Sequence, residues 1–246
     1  MLMVDVVLNG EILKTVSKAM VSLVSEARFH FKEEGLHSRA VDPANVAMVI
    51  VDVPSSSFIK YESEGDFVAG VDVNRIFDIS KSIKNDDVVE MTINEESFIV
   101  KFGSVKYSVS LIDPSAIRKE PRIPQIDLPA KIVMDAGEFK KAIVAADKIS
   151  DHVVFRTNEE GFFIEAEGDV DRITFSLSDA ELAEFNRQEA KSMFSLEYLK
   201  EFVKIASSGD VLTIRLGNDY PVRMVFEVAG GKVRVEYILA PRIEAE

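Results

Sequence analysis

The chain has no cysteine and no tryptophan, only three histidines (His30, His37 and His152) and only two glutamines (Gln125 and Gln188). Without cysteine there is no disulfide and no thiolate metal site, and an intracellular protein is expected. Few glutamines beside many Glu and Lys point weakly to a heat-adapted source. No apolar run among the 246 residues approaches the length needed to span a bilayer, so no membrane partner is expected. The start, Met1-Leu2-Met3-Val4-Asp5, has neither the basic region nor the small-residue cleavage site of a signal peptide. What is present is ordinary for a two-domain globular chain: 47% apolar and 29% charged residues, with a net charge of −13. That charge, taken alone, argues against nucleic acid, because phosphate contacts need Lys and Arg.

The chain is written twice. "VDVNRIFDISKSIKNDDVVEMTI" (71–93) aligns without gaps to "FSLEYLKEFVKIASSGDVLTIRL" (194–216). Gly10-Glu11 matches Gly137-Glu138, and Glu33-Glu34-Gly35-Leu36 matches Glu159-Glu160-Gly161-Phe162. Leu111-Ile112-Asp113-Pro114 and Ile238-Leu239-Ala240-Pro241 close the two halves. Four matches in one order at nearly constant offset mark a duplication. Each half reads as strand, helix, several strands, helix, several strands, with alternation plain in Phe29-His30-Phe31 and Val233-Arg234-Val235-Glu236-Tyr237. Gly230-Gly231 and Asn85-Asp86-Asp87 read as hairpin turns. Two helices per half are too few for a parallel βαβ sheet, so an α+β fold of antiparallel sheets is expected. The expected domains are 1–112 and 130–246. Between them, 113–129 carries four prolines and reads as an extended surface connector, either a spacer or a docking strip.

Helices are expected over 9–27, 72–84, 135–149 and 195–208. They hold ten basic residues, Lys14, Lys18, Arg75, Lys81, Lys84, Lys140, Lys141, Lys148, Lys200 and Lys204, against nine acidic ones, while the rest of the chain is strongly acidic. In the first helix Ile12, Val16, Met20 and Leu23 form an apolar stripe opposite Lys14 and Lys18. The bland account is ordinary solvated lysine; the functional one is a surface turned to DNA phosphates.

Catalytic chemistry finds little support. The histidines are scattered and suit structural roles better than a metal site. Acidic doublets such as Glu95-Glu96 and Glu159-Glu160 fall in turns, Gly230-Gly231-Lys232 lacks the preceding glycine of a phosphate loop, and no nucleophile–base pairing is legible. No catalytic residue, metal or cofactor is expected. The rivals are an enzyme with a cryptic carboxylate site on a duplicated α+β fold, and a monomeric peptide-binding adaptor.

"GLHSRAVDPANVAMVIVDVPSSSF", "RIPQIDLPAKIVMDAGEF" and the C-terminal "YILAPRIEAE" resemble the proliferating cell nuclear antigen family, the DNA sliding clamps of archaea and eukaryotes. The likeness runs over essentially the whole chain and favours an archaeal member: cytoplasmic and nucleoid-associated if archaeal, nuclear if eukaryotic. It implies a DNA clamp fold of two topologically similar domains, each with two helices, in a head-to-tail trimeric ring whose helices line the hole. Twelve helices packed ~10 Å apart make a ring roughly 120 Å around. That leaves about 28 Å for a duplex once a ~10 Å helix diameter is removed. The ten basic residues above are then candidates for the channel. The resemblance also implies a pocket for partner peptides carrying Gln, an aliphatic residue and two aromatics. By position it would use Val41, Asn45, Val46, Ile123, Pro124, Pro221, Ile238, Ala240, Pro241, Arg242 and Ile243, with Asn45 standing where many relatives have His. The implied subunit edges are 105–111, with Val105, Tyr107, Val109 and Leu111, and 173–178, with Ile173, Phe175 and Leu177. The implied partners are duplex DNA without sequence preference, replicative polymerase, clamp loader, flap endonuclease, DNA ligase and further copies of the chain, in replication and repair. The processivity factor itself would not be an enzyme.

Overall fold

A computed structural model describes residues 3–243. The first repeat runs β1 (Val4–Asn9), α1 (Gly10–Val21), β2 (Glu26–Lys32), β3 (Gly35–Val41), β4 (Ala47–Pro54), β5 (Lys60–Ser63), β6 (Phe67–Asp72), α2 (Val73–Ser80), β7 (Val88–Ile93), β8 (Ser97–Phe102) and β9 (Val105–Ser110). The second follows the same order: β10 (Ala130–Asp135), α3 (Ala136–Ala146), β11 (His152–Asn158), β12 (Gly161–Glu167), β13 (Arg172–Ser178), β14 (Glu184–Phe185), β15 (Ala190–Ser195), α4 (Leu196–Phe202), β16 (Val211–Leu216), β17 (Val222–Val228) and β18 (Val233–Leu239). Strand orders match as well. β5-β1-β7-β8-β9 corresponds to β14-β10-β16-β17-β18, and β4-β3-β2-β6 to β13-β12-β11-β15. The registered pairings within each repeat are antiparallel. No described helix is long and apolar enough to cross a membrane.

Two compact units result. One runs to Pro121 and takes in Ala229–Val235; the other comprises Arg122–Val228 and the chain from Glu236 onward. In the first, Ile12 and Val16 of α1 meet Leu8, Phe29 and Phe98 around a void of only about 10 Å³, so the core is packed to ordinary protein density. In the second, Phe155 sits among Phe139, Phe162 and Phe194, with ring centroids 5.7, 5.8 and 5.1 Å away. Phe202 of α4 stacks on buried Tyr237 at 3.9 Å. The Phe139 and Phe162 rings meet Phe155 edge-on, a favoured aromatic geometry.

The repeated sequence motifs have physical causes. Gly35 and Gly161 enter their strands with φ of +137° and +155°, a conformation that suits glycine alone. A Cβ there would lie 2.1 Å from the Val53 carbonyl oxygen and 2.0 Å from that of Leu177. At Gly10 a Cβ would lie 2.1 Å from the Lys84 oxygen. That close approach lets Gly10 and Glu11 donate backbone N–H groups to Asp87 and Asn85 at 2.8 and 3.0 Å, which serves donors that a helix start leaves without intrahelical partners.

Several expected boundaries move. The first helix stops at Val21, and Glu26 and Ala27 belong to β2. Ser22 Oγ bonds to the Ala19 carbonyl, and the N–H groups of Leu23 and Val24 close on Met20. The second helix ends at Ser80 and the third at Ala146, while α4 gives way to a 3₁₀ turn, Val203–Ile205. The 85–87 turn joins α2 to β7, so it is not a hairpin; Gly230-Gly231, with φ of +66° and +78°, is the tip between β17 and β18.

Candidate functional site

The helices of each unit lie side by side, α1 against α2 and α3 against α4, with Ser17 Oγ 3.2 Å from Ser80 Oγ at the first of these packings. Asp72 caps α2 by accepting from the Arg75 N–H, and Asp135 caps α3 by accepting from Glu138 at 3.0 Å and from Gly209 at 2.7 Å. At Asp135 burial works to raise the carboxyl pKa, but these backbone donors and that of Gly137 outweigh it and hold it below the ordinary value. The helices bury Ile12, Val16, Ile76, Ile79, Phe139, Ile143, Leu199 and Phe202. Lys14, Lys18, Arg75, Lys140, Lys141 and Lys200 therefore stand on the opposite, at least partly exposed faces. Lys81 is the C-cap of α2, Lys84 lies in the turn after it, Lys148 follows α3, and Lys204 is in the 3₁₀ turn. At least five of the ten have partners within the chain. Lys81, Lys141 and Lys204 pair with the carboxylates three residues before them, Lys200 with Asp147, and Lys140 donates to the Ala206 carbonyl. Exposed pairs of this kind contribute ~1 kcal/mol or less, so a phosphate can displace them.

Each unit leaves one of the expected edges open. β9 ends its sheet with Val105 42% and Tyr107 38% exposed and Val109 half-buried. β13 ends the other, with Ile173, Phe175 and Leu177 alternating with exposed polar residues. Leu111 falls beyond β9, its N–H bonded to the Glu96 carbonyl.

The connector is divided. Its first part is bolted to the first unit by arginines that the sequence did not single out. Arg28 donates to the carbonyls of Pro114, Ile117 and Arg118 at 2.8, 2.7 and 3.3 Å, and Arg118 donates to the Asp42 carbonyl and to Asn45 Oδ1. His30 lies 2.5 Å from Glu120. His37 and His152 likewise pair with Asp52 and Asp151, which gives all three histidines structural partners. Beside this bolt is a cavity of about 190 Å³ whose wall includes Val41, Pro43, Ala27 and Ile117. Asn45 sits at φ +59° in the turn that the Asp42 carboxylate organises by accepting from Ala44, Val46 and Ala47.

In the second unit Ile123 and Pro124 border a groove of about 600 Å³ with Gln125, Ile126, Asp127 and Arg223. Arg223 escaped the sequence reading. Pro221 is half-buried. Ile238 is only 6% exposed, so most of its side chain packs inward. Ala240 and Pro241 are half-exposed and Ile243 is 79% exposed. The strip is held by Arg242, whose N–H bonds to the Met193 carbonyl at 2.7 Å and whose guanidinium lies 3.0 Å from Asp151. Hydrogen bonds from His152 and Arg242 hold the Asp151 carboxyl down to about 2.

Known proteins share this organisation from end to end. The family model described as "Proliferating cell nuclear antigen, N-terminal domain" matches residues 1–108, and that of the C-terminal domain matches 122–242. A "DNA polymerase sliding clamp" of Archaeoglobus fulgidus is 67% identical over 99% of this chain and 100% of its own length, and one of Methanococcoides burtonii is 43% identical over 97% and 98%. A solved structure described as "C-terminal region of FEN-1 bound to A. fulgidus PCNA" superposes with a TM-score of 0.97 at 67% identity, covering 99% of this chain and 100% of that one. The Thermococcus kodakaraensis protein of the same family gives 0.88 at 26% identity, covering 97% of this chain and 100% of that one. With both family models matched in order along the duplicated fold, this chain belongs to the proliferating cell nuclear antigen family of DNA sliding clamps.

Proposed function

We propose that the chain is the processivity factor of a DNA polymerase, acting as a ring of three identical copies rather than by any reaction of its own. β9 of one copy adds to β13 of the next, and an open strand edge is the natural site for such an addition. The helices carrying the ten basic residues turn toward duplex DNA, and their contacts are to phosphates and are indifferent to sequence. Residues 1–112 and 130–246 are the clamp domains and 113–129 the connector. Replicative polymerase, clamp loader, flap endonuclease and ligase engage through short peptides on Val41, Asn45 and Val46 of the first unit and on Ile123, Pro124, Pro221 and Ala240 to Ile243 of the second. The protein works in the cytoplasm, on the nucleoid.

The observation that carries this reading is the coincidence, in both units of a chain from this family, of a lysine-bearing helix pair with an open strand edge. The test replaces Lys14, Lys81, Lys141 and Lys204 together with Glu. Polymerase extension on a primed circle should lose its stimulation by the clamp, while the solution mass stays at three times 27.4 kDa. Undiminished stimulation would remove these lysines from the DNA surface. A wild-type mass of one protomer would favour the adaptor.

A further inference from the structure

Three cations stand in a row on one face of a second-unit sheet. Lys131 of β10 is directly opposite Arg215 of β16, and Arg215 is directly opposite Arg223 of β17. Residues in register share a face, so the three charged groups span roughly 10 Å at ordinary strand spacing. Their strand neighbours Ile132, Ile214 and Met224 are fully buried on the other face. Like charges placed directly opposite one another destabilise a sheet, and a chain with net charge −13 had carboxylates to spare for this row.

The row is balanced only at its ends. Lys131 meets Glu184 at 2.5 Å. Arg223 meets Glu236 at 2.5 Å, and Glu236 is 1% exposed, one of few buried charges among the described residues. A carboxylate sunk that far is costly unless a cation compensates it, and Arg223 stands within ion-pair distance of it. Among the described residues Arg215, the middle member, has no ion-pair partner, though it is only half-buried. Arg223 also lines the groove under 123–127. The row therefore continues into the surface assigned to partner peptides.

We propose that Arg215, with Arg223 beside it, is a specificity determinant that accepts the carboxylates of an acidic segment flanking the docked motif of a partner peptide. It presupposes the peptide docking proposed above and adds a charge preference to it. Arginine offers five N–H donors in a planar fork, and Nε of Arg223 already faces Glu236, so its remaining donors and all those of Arg215 suit carboxylate oxygens. Asp127, on the connector side of the same groove, sets a limit. It repels an acidic segment that strays from the arginines, so the preference depends on register.

The test uses the full chain and two synthetic peptides with one docking motif, flanked either by Asp and Glu or by the isosteric Asn and Gln, read by fluorescence anisotropy. The acidic flank should tighten binding about tenfold at low salt, and the advantage should shrink as salt rises. Arg215→Gln disturbs no ion pair, so it should keep the neutral peptide's affinity and lose the acidic advantage. Arg215→Glu should favour a Lys-flanked peptide. Equal binding of both peptides to the wild type, or an advantage that survives Arg215→Gln, would overturn the charge preference while leaving docking intact. Failure of both peptides to bind would overturn docking and the preference together.

Discussion

Gly35 and Gly103 both have positive φ, +137° and +53°, but their surroundings differ. A Cβ on Gly35 would meet the Val53 carbonyl at 2.1 Å and further backbone at 2.7 and 2.9 Å, whereas one on Gly103 would meet nothing within 4 Å. Gly103→Ala carries backbone strain alone, about 1 kcal/mol. Gly35→Ala adds a clash with backbone that cannot rotate away, so a loss of roughly 3 kcal/mol or more is expected. Thermal unfolding of the two variants should differ by several degrees, and equal melting temperatures would show that the β2–β3 turn relaxes freely. Asp151 offers a second check. Its folded value of about 2 lies below the unfolded 3.8, so the stability contributed by its bonds to His152 and Arg242 is fully present above about 3.8 and is lost as pH falls through about 2. A carboxyl-carbon NMR titration should give a midpoint near 2, and Arg242→Ala should move that midpoint upward.

At the scale of elements, an edge strand differs from its neighbours in one respect: half its backbone hydrogen-bonding groups face outward. Val105→Glu together with Tyr107→Glu places two like charges along β9, where Tyr107 now stacks on Phe102 with centroids 6.2 Å apart. Sedimentation should show single protomers with unchanged circular dichroism, and a retained trimer would move the subunit contact elsewhere. The order of elements was legible because each repeat spells it out, and Gly35 and Gly161 mark the same turn twice. Helix ends were not. Leu23 keeps the apolar spacing of α1 although the helix has already closed at Val21, because a buried side chain after the last turn carries the same signal as one within it. The prolines of 113–129 announced a connector, yet Arg28 reaches carbonyls 86 to 90 positions away. Nor does alternation along single strands reveal that Lys131, Arg215 and Arg223 share a row, since that depends on register across three strands.

For the whole molecule, a net charge of −13 has to coexist with holding a polyanion. Open-ended electrostatic attachment cannot do this well: of the ten candidate cations at least five are already engaged within the chain, and each phosphate neutralised makes binding weaker by close to one power of the salt concentration. Closure around the duplex removes the conflict, because retention then depends on chain topology and the lysines proposed to face the DNA need only keep it centred while it slides. The two kinds of attachment respond differently to salt and to a cut. Clamp loaded on a closed circular duplex should stay bound through a wash at about 0.5 M salt, where exposed ion contacts are screened within ~4–5 Å, and should leave promptly once a nuclease linearises the circle. The Lys-to-Glu variant at positions 14, 81, 141 and 204, if loaded, should be retained on the uncut circle as well as the wild type, since its ring is intact, while failing to support extension. Loss of the wild type from the uncut circle in high salt, at the rate seen on linear DNA, would mean that charge and not enclosure holds it there.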